Sequence, residues 1–225
     1  MVLIIILLIV GLIVFFKMKA DPKESKALYE ANTTPDEKQV IRYFTASGCL
    51  RKTWSDSEFD AYVAKQIAGL RQRAIEHIGL DEDELKEIDP VSFGGFLFNN
   101  VRLSQKGEDG LWRSNKYQVS WIFFSSTHVY LYQKTIDLAF GDVSERTEEY
   151  FYKDITNFST RQSSENIVSY DANGKEIDGS RQTVNTTSFT IVVPGDNLTC
   201  AMDKNDSNER SIQAMKTKLR EKKTA

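Results

Sequence analysis

The sequence has few of the residues from which catalytic and metal sites are built. Its 225 residues include only two histidines, His77 and His128, and two cysteines, Cys49 and Cys200. Neither histidine stands at a metal-ligand spacing, and the two cysteines form no CxxC pair. The motifs HExxH, GxSxG, GxGxxG and the P-loop are also missing. We therefore expect a protein that is not an enzyme, with no catalytic residues, no metal and no cofactor.

An excess of basic residues is missing as well. Lysine and arginine number 29 against 32 aspartates and glutamates, which gives a formal net charge of −3 at pH 7. A general nucleic-acid binder needs such an excess to neutralise phosphates. We therefore predict no nucleic-acid partner, and any cationic surface must be local.

The length is sufficient for one sizeable domain preceded by a helical region.

Polar side chains are absent from residues 1–16, MVLIIILLIVGLIVFF. At about 1.5 Å per residue, a helix of this length reaches about 24 Å, slightly less than a hydrocarbon core of about 30 Å. Because Lys17 can snorkel and Met18 extends the span, we predict a transmembrane anchor at residues 1–18. The alternative is a cleaved signal peptide. That interpretation requires a basic segment before the apolar run and small residues after it, and neither is present.

The charges that flank the apolar run predict the orientation of the chain. Lys17 and Lys19 follow the run, and no lysine precedes it. Positively charged flanks stay in the cytoplasm. The sequence therefore predicts a single-pass protein of the plasma membrane, with its N-terminus outside and its body in the cytosol. Two isolated cysteines agree with a reducing compartment.

Helix signals fill residues 34–90, which follow a polar juxtamembrane linker predicted at residues 19–33. Thr34 stands as an N-cap before Pro35, and apolar side chains at Val40, Ile41 and Phe44 predict one buried face. Gly48 is the expected stop. The short acidic stretch LDEDELKEIDP is predicted to be helical until the residue before Pro90.

A longer helix is predicted from Ser55 to Gly79. The sequence SDSE at its start is a capping box. Apolar side chains then recur at spacings of three and four, at Phe59, Val63, Ile67, Leu70, Ala74 and Ile78. This stripe either packs on its own domain or forms half of a coiled-coil dimer. Its length falls short of the three to four heptads that a coiled coil needs, which favours the first interpretation.

From Val91 onwards the apolar pattern alternates with a period of two, which is typical of β-strands. The segment FGGFLFNNVRLSQ predicts a strand bent by its glycines, and KGEDG predicts a hairpin turn. Residues 117–124 and the strand after His128 are predicted as two long central strands joined by a turn at Ser125 to His128. Core packing or a ligand groove explains their aromatic side chains, and core packing is the simpler explanation.

Shorter strands are predicted in RTEEYFYKDITNFSTRQS, RQTVNTTSFTIVV and NLTCAM, with a turn at Pro194-Gly195-Asp196 between the last two. An amphipathic helix closes the chain. Its apolar face is formed by Ile212, Met215 and Leu219, which we expect to cover the open end of two packed sheets.

About seven antiparallel strands followed by one C-terminal helix resemble the pleckstrin-homology (PH) superfold, and in particular bacterial PH-like or GRAM-like domains. The similarity lies in STHVYLYQKTIDL, in EEYFYKDITNFST with its break at Asp154-Ile155, and in the last hairpin and helix. It implies an α+β protein in which residues 91–225 form an antiparallel β-sandwich or barrel of about seven strands closed by a helix. It also implies binding of phospholipid head groups, peptides or neighbouring membrane proteins rather than catalysis.

The resemblance also implies where a head group is held. In eukaryotic PH domains the loop between the first two strands carries the basic residues that bind inositol phosphates. The corresponding hairpin here offers Arg102, Lys106, Arg113 and Lys116 as candidate anion contacts. Two acidic residues at the hairpin tip would repel phosphate, so a solvated hairpin is the alternative. The basic end KTKLREKK either contacts anionic lipid or serves only the helix dipole and solubility.

Two functions follow from these expectations. The first is a membrane-anchored scaffold or adaptor whose cytosolic PH-like domain binds a protein partner at the membrane. The alternative is a module that binds lipid head groups through the first hairpin or the C-terminal helix.

Overall fold

The computed structural model describes residues 34–45, 53–80, 89–168, 176, 180–203 and 206–224. The predicted anchor at 1–18, the linker at 19–33, the stop at Gly48 and the acidic stretch at 81–88 lie outside the described residues. None of the helices within these ranges combines the length and the apolar composition needed to cross a membrane. The described chain is a mixed α+β fold with antiparallel sheets.

Four helices lie in the described ranges: α1 (Pro35–Thr45), α2 (Asp56–Ile67), α3 (Leu70–Ile78) and α4 (Asp206–Thr224). The first two begin where their caps predict. The hydroxyl of Thr34 accepts a hydrogen bond from the backbone N–H of Glu37 at 3.2 Å. The predicted capping box at Ser55 and Glu58 is also confirmed, with both reciprocal hydrogen bonds present. These local signals fix the helix starts before any tertiary contact is considered.

The single helix predicted from Ser55 to Gly79 is wrong, because the structure divides it into α2 and α3. Ala68 adopts an extended conformation with ψ 135°, and Gly69 has φ +75°, in the left-handed region that glycine alone enters at low cost. The apolar stripe therefore changes direction at this point. Phe59 and Val63 on α2 pack in one cluster, whereas Ala74 and Ile75 on α3 pack in another. Both clusters lie within this chain, as the packing interpretation predicts.

Nine strands in the described residues form three antiparallel sheets. The first sheet has the order β1-β4-β5-β6, the second is the β2-β3 hairpin, and the third has the order β7-β8-β9. The strands are β1 (Val91–Leu97), β2 (Ser104–Lys106), β3 (Trp112–Ser114), β4 (Lys116–Phe124), β5 (His128–Asp137), β6 (Val143–Phe151), β7 (Asn157–Ile167), β8 (Gln182–Val193) and β9 (Asp196–Met202).

The first sheet is covered on both faces, which explains the aromatic density of β4 and β5. Ile122 and Phe124 point into the core between the two large sheets, together with Leu131 and Phe189. Phe123 points the opposite way and packs with Ala74 and Ile75 of α3. Helix α3 therefore shares a hydrophobic core with the first sheet. Near-continuous apolar sequence is what a strand buried on both faces requires.

Helix α4 closes the core as predicted. Ile212, Met215 and Leu219 are buried in the same cluster as Phe189 and Leu198 of the third sheet. The predicted break at Asp154-Ile155 is also present, since a 3-10 turn at Tyr152–Asp154 separates β6 from β7. The chain leaves the first sheet before this turn and enters the third sheet after it.

The two large sheets meet where β1 passes β9. A Cβ atom built on Gly95 would lie only 3.1 Å from the backbone N and C atoms of Met202, so a side chain at this position would require the two strands to separate by a few tenths of an ångström. The outer edge of β9 is bonded to side chains of the first sheet. Gln118 Oε1 accepts the N–H of Ala201 at 2.8 Å, and Gln133 Nε2 donates to the carbonyl of Thr199 at 2.9 Å. Side-chain amides thus take the place of a neighbouring strand along this seam.

Candidate binding cleft

A cleft of about 600 Å³ lies where α2, the end of β1, the β2-β3 hairpin and the start of β8 meet. Its apolar walls come from elements far apart in the sequence. They comprise Val63, Ile67, Phe96, Phe98, Leu111, Trp112 and Met202. Leu111 stands at the hairpin tip with 62% of its surface exposed, the largest exposure of a bulky apolar side chain in the described residues. An apolar wall of this kind favours burial of apolar side chains from a partner.

One guanidinium organises the base of the cleft. The Arg113 side chain is 2% exposed and forms two hydrogen bonds with Asp60, at 2.8 Å and 2.7 Å. It forms two further bonds with Asp109, at 2.9 Å and 2.7 Å. A buried guanidinium must be paired in this way, because an unpaired charge in the interior is costly. The hydrogen bonds that Arg113 donates to Asp60 and Asp109 raise the pKa of Arg113, and Arg113 together with the Leu111 N–H lowers the pKa of Asp109 to about 2.

Asp56 extends this network from the same face of α2. One of its carboxylate oxygens accepts the hydroxyl of Tyr43 at 2.7 Å, and the other accepts the backbone N–H of Glu108 at 2.7 Å. The second oxygen also lies 3.9 Å from Arg113. Tyr43 in turn stacks on Phe59 with ring centroids 4.4 Å apart. The network joins α1, α2 and the hairpin tip into one rigid wall of the cleft.

The carboxylates in and around the cleft outnumber the guanidinium groups, and two of them, Asp60 and Asp203, line it. Three carboxylates, those of Asp56, Asp60 and Asp109, surround the single guanidinium of Arg113. A fourth, Asp203, stands at the mouth of the cleft. Partial burial, followed by repulsion from Asp60, raises the pKa of Asp203 to about 6 despite the opposing effect of Arg113. The field at the rim therefore attracts cations and repels phosphate.

The structure gives the four predicted anion contacts different neighbours. Arg113 lies within the carboxylate network. The guanidinium of Arg102 lies 5.4 Å from the centroid of the Phe140 ring, and Lys116 Nζ donates to the carbonyl of Asn100 at 3.4 Å. Lys106 is exposed at the end of β2. The assignment of these residues to a head-group site stays a prediction, and the structure shows that Arg113 is already bound by carboxylates.

Sequence reasoning did not identify Asp60 and Asp203 as site residues. Asp56 and Asp60 are four positions apart, so they lie on the same face of a helix, and that spacing was a usable signal. The partner that they share, Arg113, is more than fifty positions away. Asp203 follows the last strand, and no local pattern connects it with α2. Only the meeting of the sheets brings these carboxylates together.

The chain matches no protein-family model, no curated protein and no solved structure. In the ranges that the structure describes, no group of three or more histidine, cysteine, aspartate or glutamate side chains is arranged to hold a metal ion.

Proposed function

We propose that this chain is a membrane-anchored adaptor without enzymatic activity, whose cytosolic PH-like domain binds a protein partner at the membrane. The observation that carries the proposal is the cleft, with its apolar walls and negatively charged rim. The occupant that fits both properties is a segment of a partner protein in which lysine or arginine flanks bulky apolar residues. The cleft has a volume of about 600 Å³, which is in the range of ligand-binding pockets.

The arrangement of the strands supports a PH-like fold. A four-stranded sheet in the order β1-β4-β5-β6 is followed by a three-stranded antiparallel sheet and then by a helix that closes the core. The β2-β3 hairpin is inserted between the first and second strands of the four-stranded sheet. The described residues contain nine strands where the resemblance implies about seven, and the β2-β3 hairpin accounts for the two additional strands.

Charge favours a protein partner over an anionic head group at this cleft. A phosphate placed there would meet Asp60 and Asp203, and the arginine that lines the cleft already has carboxylate partners. Each cationic side chain of a partner segment would instead be attracted by the same carboxylates. The lipid alternative therefore rests on Arg102, Lys106 and Lys116 outside the carboxylate network, or on the basic end of α4.

Peptide binding to the full chain tests the proposal. The probes are two fluorescent peptides with the same leucine pattern, one with arginine and one with glutamate at the intervening positions. We expect the arginine peptide to bind at least tenfold more tightly, and its affinity to fall as salt screens the rim. Leu111→Ser and Asp203→Asn should each weaken it several-fold. Val143→Ser removes an apolar side chain of similar exposure (54%) away from the cleft and serves as the matched control.

Equal affinity for both peptides, or affinity that Leu111→Ser leaves unchanged, would show that the cleft is not the binding site. Flotation with phosphatidylcholine vesicles, with and without phosphatidylserine, tests the lipid alternative on a chain from which residues 1–18 have been removed. Flotation that requires phosphatidylserine and is lost when Arg102, Lys106 and Lys116 are replaced by glutamine would favour the lipid function.

The membrane placement has its own test. Protease added to intact cells should leave residues beyond Lys17 uncut, since the lysine flank predicts a cytosolic body. Digestion of the body from outside, without lysis, would contradict the proposed orientation.

A further inference from the structure

Strand β6 is an edge of the first sheet. It pairs along its whole length with β5, from Phe151 opposite His128 to Val143 opposite Ile136. No strand in the described part of the chain pairs with its other side. The backbone N–H and C=O groups on that side are therefore available to another strand, and an edge of nine residues without proline or lysine is a template for pairing.

Two bulky apolar side chains are exposed at opposite ends of this edge strand. Val143 has 54% and Phe151 has 46% of its surface exposed. Only one other large apolar residue in the described ranges is comparably exposed, and that residue is Leu111 in the cleft. Val143, Thr147 and Phe151 are four positions apart along the strand, so they share one face of the sheet.

The order of residues in β6 is complementary to itself. When two copies of the strand run antiparallel with Thr147 opposite Thr147, Val143 of each copy faces Phe151 of the other. In the same register Arg146 of each copy faces Glu148 of the other. Apolar pairs and opposite charges directly across an antiparallel ladder both stabilise pairing, whereas like charges oppose it. Every neighbouring register separates the valine from the phenylalanine.

The like-charge pair in this register is Glu145 opposite Glu149, and Glu145 has cationic partners in its own chain. Glu145 lies 3.0 Å from Arg73 and 3.1 Å from Lys134. Glu149 lies 3.5 Å from the His128 ring. The positive charges around Glu145 reduce the repulsion that this pair would otherwise contribute.

The Phe151 ring is already held in place at the edge. Its centroid lies 4.0 Å from that of His128, and Lys153 Nζ lies 5.1 Å from its centroid on the ring face. Because these neighbours fix the ring, little side-chain entropy remains to be lost when it contacts a second molecule. An exposed but ordered aromatic side chain is typical of a contact surface.

We propose that β6 is a self-association edge, at which two copies of this chain pair antiparallel about a two-fold axis through Thr147 and join their four-stranded sheets into one of eight strands. The contact is isologous, so it closes at a dimer. It lies apart from the binding cleft and does not depend on the proposed function.

Site-directed cross-linking of the full chain in a mild detergent tests both the contact and its register. The variants carry Thr147→Cys or Glu149→Cys in a Cys49→Ser background, because Cys200 is buried. At position 147 the two thiols face each other across the axis. At position 149 they lie about 14 Å apart, because four residues of strand separate them. A short bismaleimide should therefore give a dimer at position 147 at least tenfold faster than at position 149.

Two further variants connect the cross-link to the apolar pairs. Val143→Asp in the Thr147→Cys chain should reduce dimer yield at least tenfold, whereas Leu111→Asp, a matched change at an exposed leucine elsewhere, should not. Circular dichroism establishes that each variant is folded. Equal rates at positions 147 and 149, absence of a dimer at 147 in the folded chain, or equal yields with Val143→Asp and Leu111→Asp would each overturn the proposal.

Discussion

Arg113 and Asp60 share two hydrogen bonds, 2.8 Å from Nε to Oδ1 and 2.7 Å from Nη2 to Oδ2, across 53 positions of sequence. The pair fastens the β2-β3 hairpin to α2. The hairpin's own ladder is short, with three residue pairs, and the hydrogen bond from the Glu108 N–H to Asp56 is a second tie to α2. An isolated hairpin is only marginally stable in water.

Removing this guanidinium should therefore destabilise the protein. Arg113→Met leaves Asp60 and Asp109 beside each other without the guanidinium that they share, and breaking a buried pair typically costs about 3 to 5 kcal/mol. We expect the lower end of that range, because both carboxylates keep some contact with water. Urea denaturation gives the free energy of unfolding. Arg102→Met, at an exposed position, is the control and should change it by less than about 0.5 kcal/mol.

Helix α4 should contribute to stability through its buried face. Met215→Ala removes a side chain that is 2% exposed in the main core, and such truncations cost about 2 to 5 kcal/mol. Gln213→Ala, on the exposed side of the same helix, is the control. Thermal melts of both variants are sufficient, and equal melting temperatures would show that α4 does not support the core. For the same reason, we expect a chain that stops at Ser207 to unfold or aggregate.

Because β1 lies so close to β9, we expect that adding a single methyl group at Gly95 lowers the stability of the protein. Gly95→Ala places a Cβ atom 3.1 Å from backbone atoms of Met202, so β9 must shift by a few tenths of an ångström to accept it. Overpacking of this kind costs about 1 to 3 kcal/mol. Ser92→Ala on the same strand, at an exposed position, serves as the comparison in a denaturation series. A Gly95→Ala chain as stable as its parent would contradict the geometry of the seam.

Asp203 predicts how stability depends on pH. Its pKa in the folded state is about 6, above the ordinary value of 3.8, so the folded protein binds a proton more tightly than the unfolded chain does. The contribution of Asp203 to stability should therefore fall as pH rises from about 4 to 6 and stay lower above that. Asp203→Asn should remove this loss and raise the melting temperature at pH 7 but not at pH 4.

The expected gain at pH 7 is modest, because Asp203 stands at the cleft mouth and is partly solvated. Asp142→Asn, on the exposed turn between β5 and β6, is the matched control. A melting temperature that Asp203→Asn raises equally at both pH values would mean that charge is not the cause.

The sequence predicted the features that depend on neighbouring residues. The N-cap at Thr34, the capping box at Ser55, the turn after Phe124 and the buried stripe of α4 are all encoded within a few positions, and each is confirmed. The division of the long helix at Gly69 was missed. A glycine within an apolar stripe of constant spacing gives no sign that the chain will turn there, and packing against two different clusters decides it.

The cleft was beyond local reasoning for a different reason. Arg113 was a plausible phosphate ligand as long as only its hairpin was considered, because cross-strand neighbours determine which basic residues share a face. Its actual partners come from α2 and from the hairpin tip, and Asp203 comes from the end of β9. Charge pairing between distant elements is not visible in residue spacing.

The contact between α3 and the first sheet has a consequence for what counts as the folding unit. Phe123 and Tyr132 are completely buried, and they are buried together with side chains of α3. Helix α3 therefore covers this face of the sheet as a binding partner would, and it is covalently attached to the sheet. A fragment that starts at Val91 would present this aromatic face to water, so an autonomous fragment of the described protein must include α3 as well as the strands.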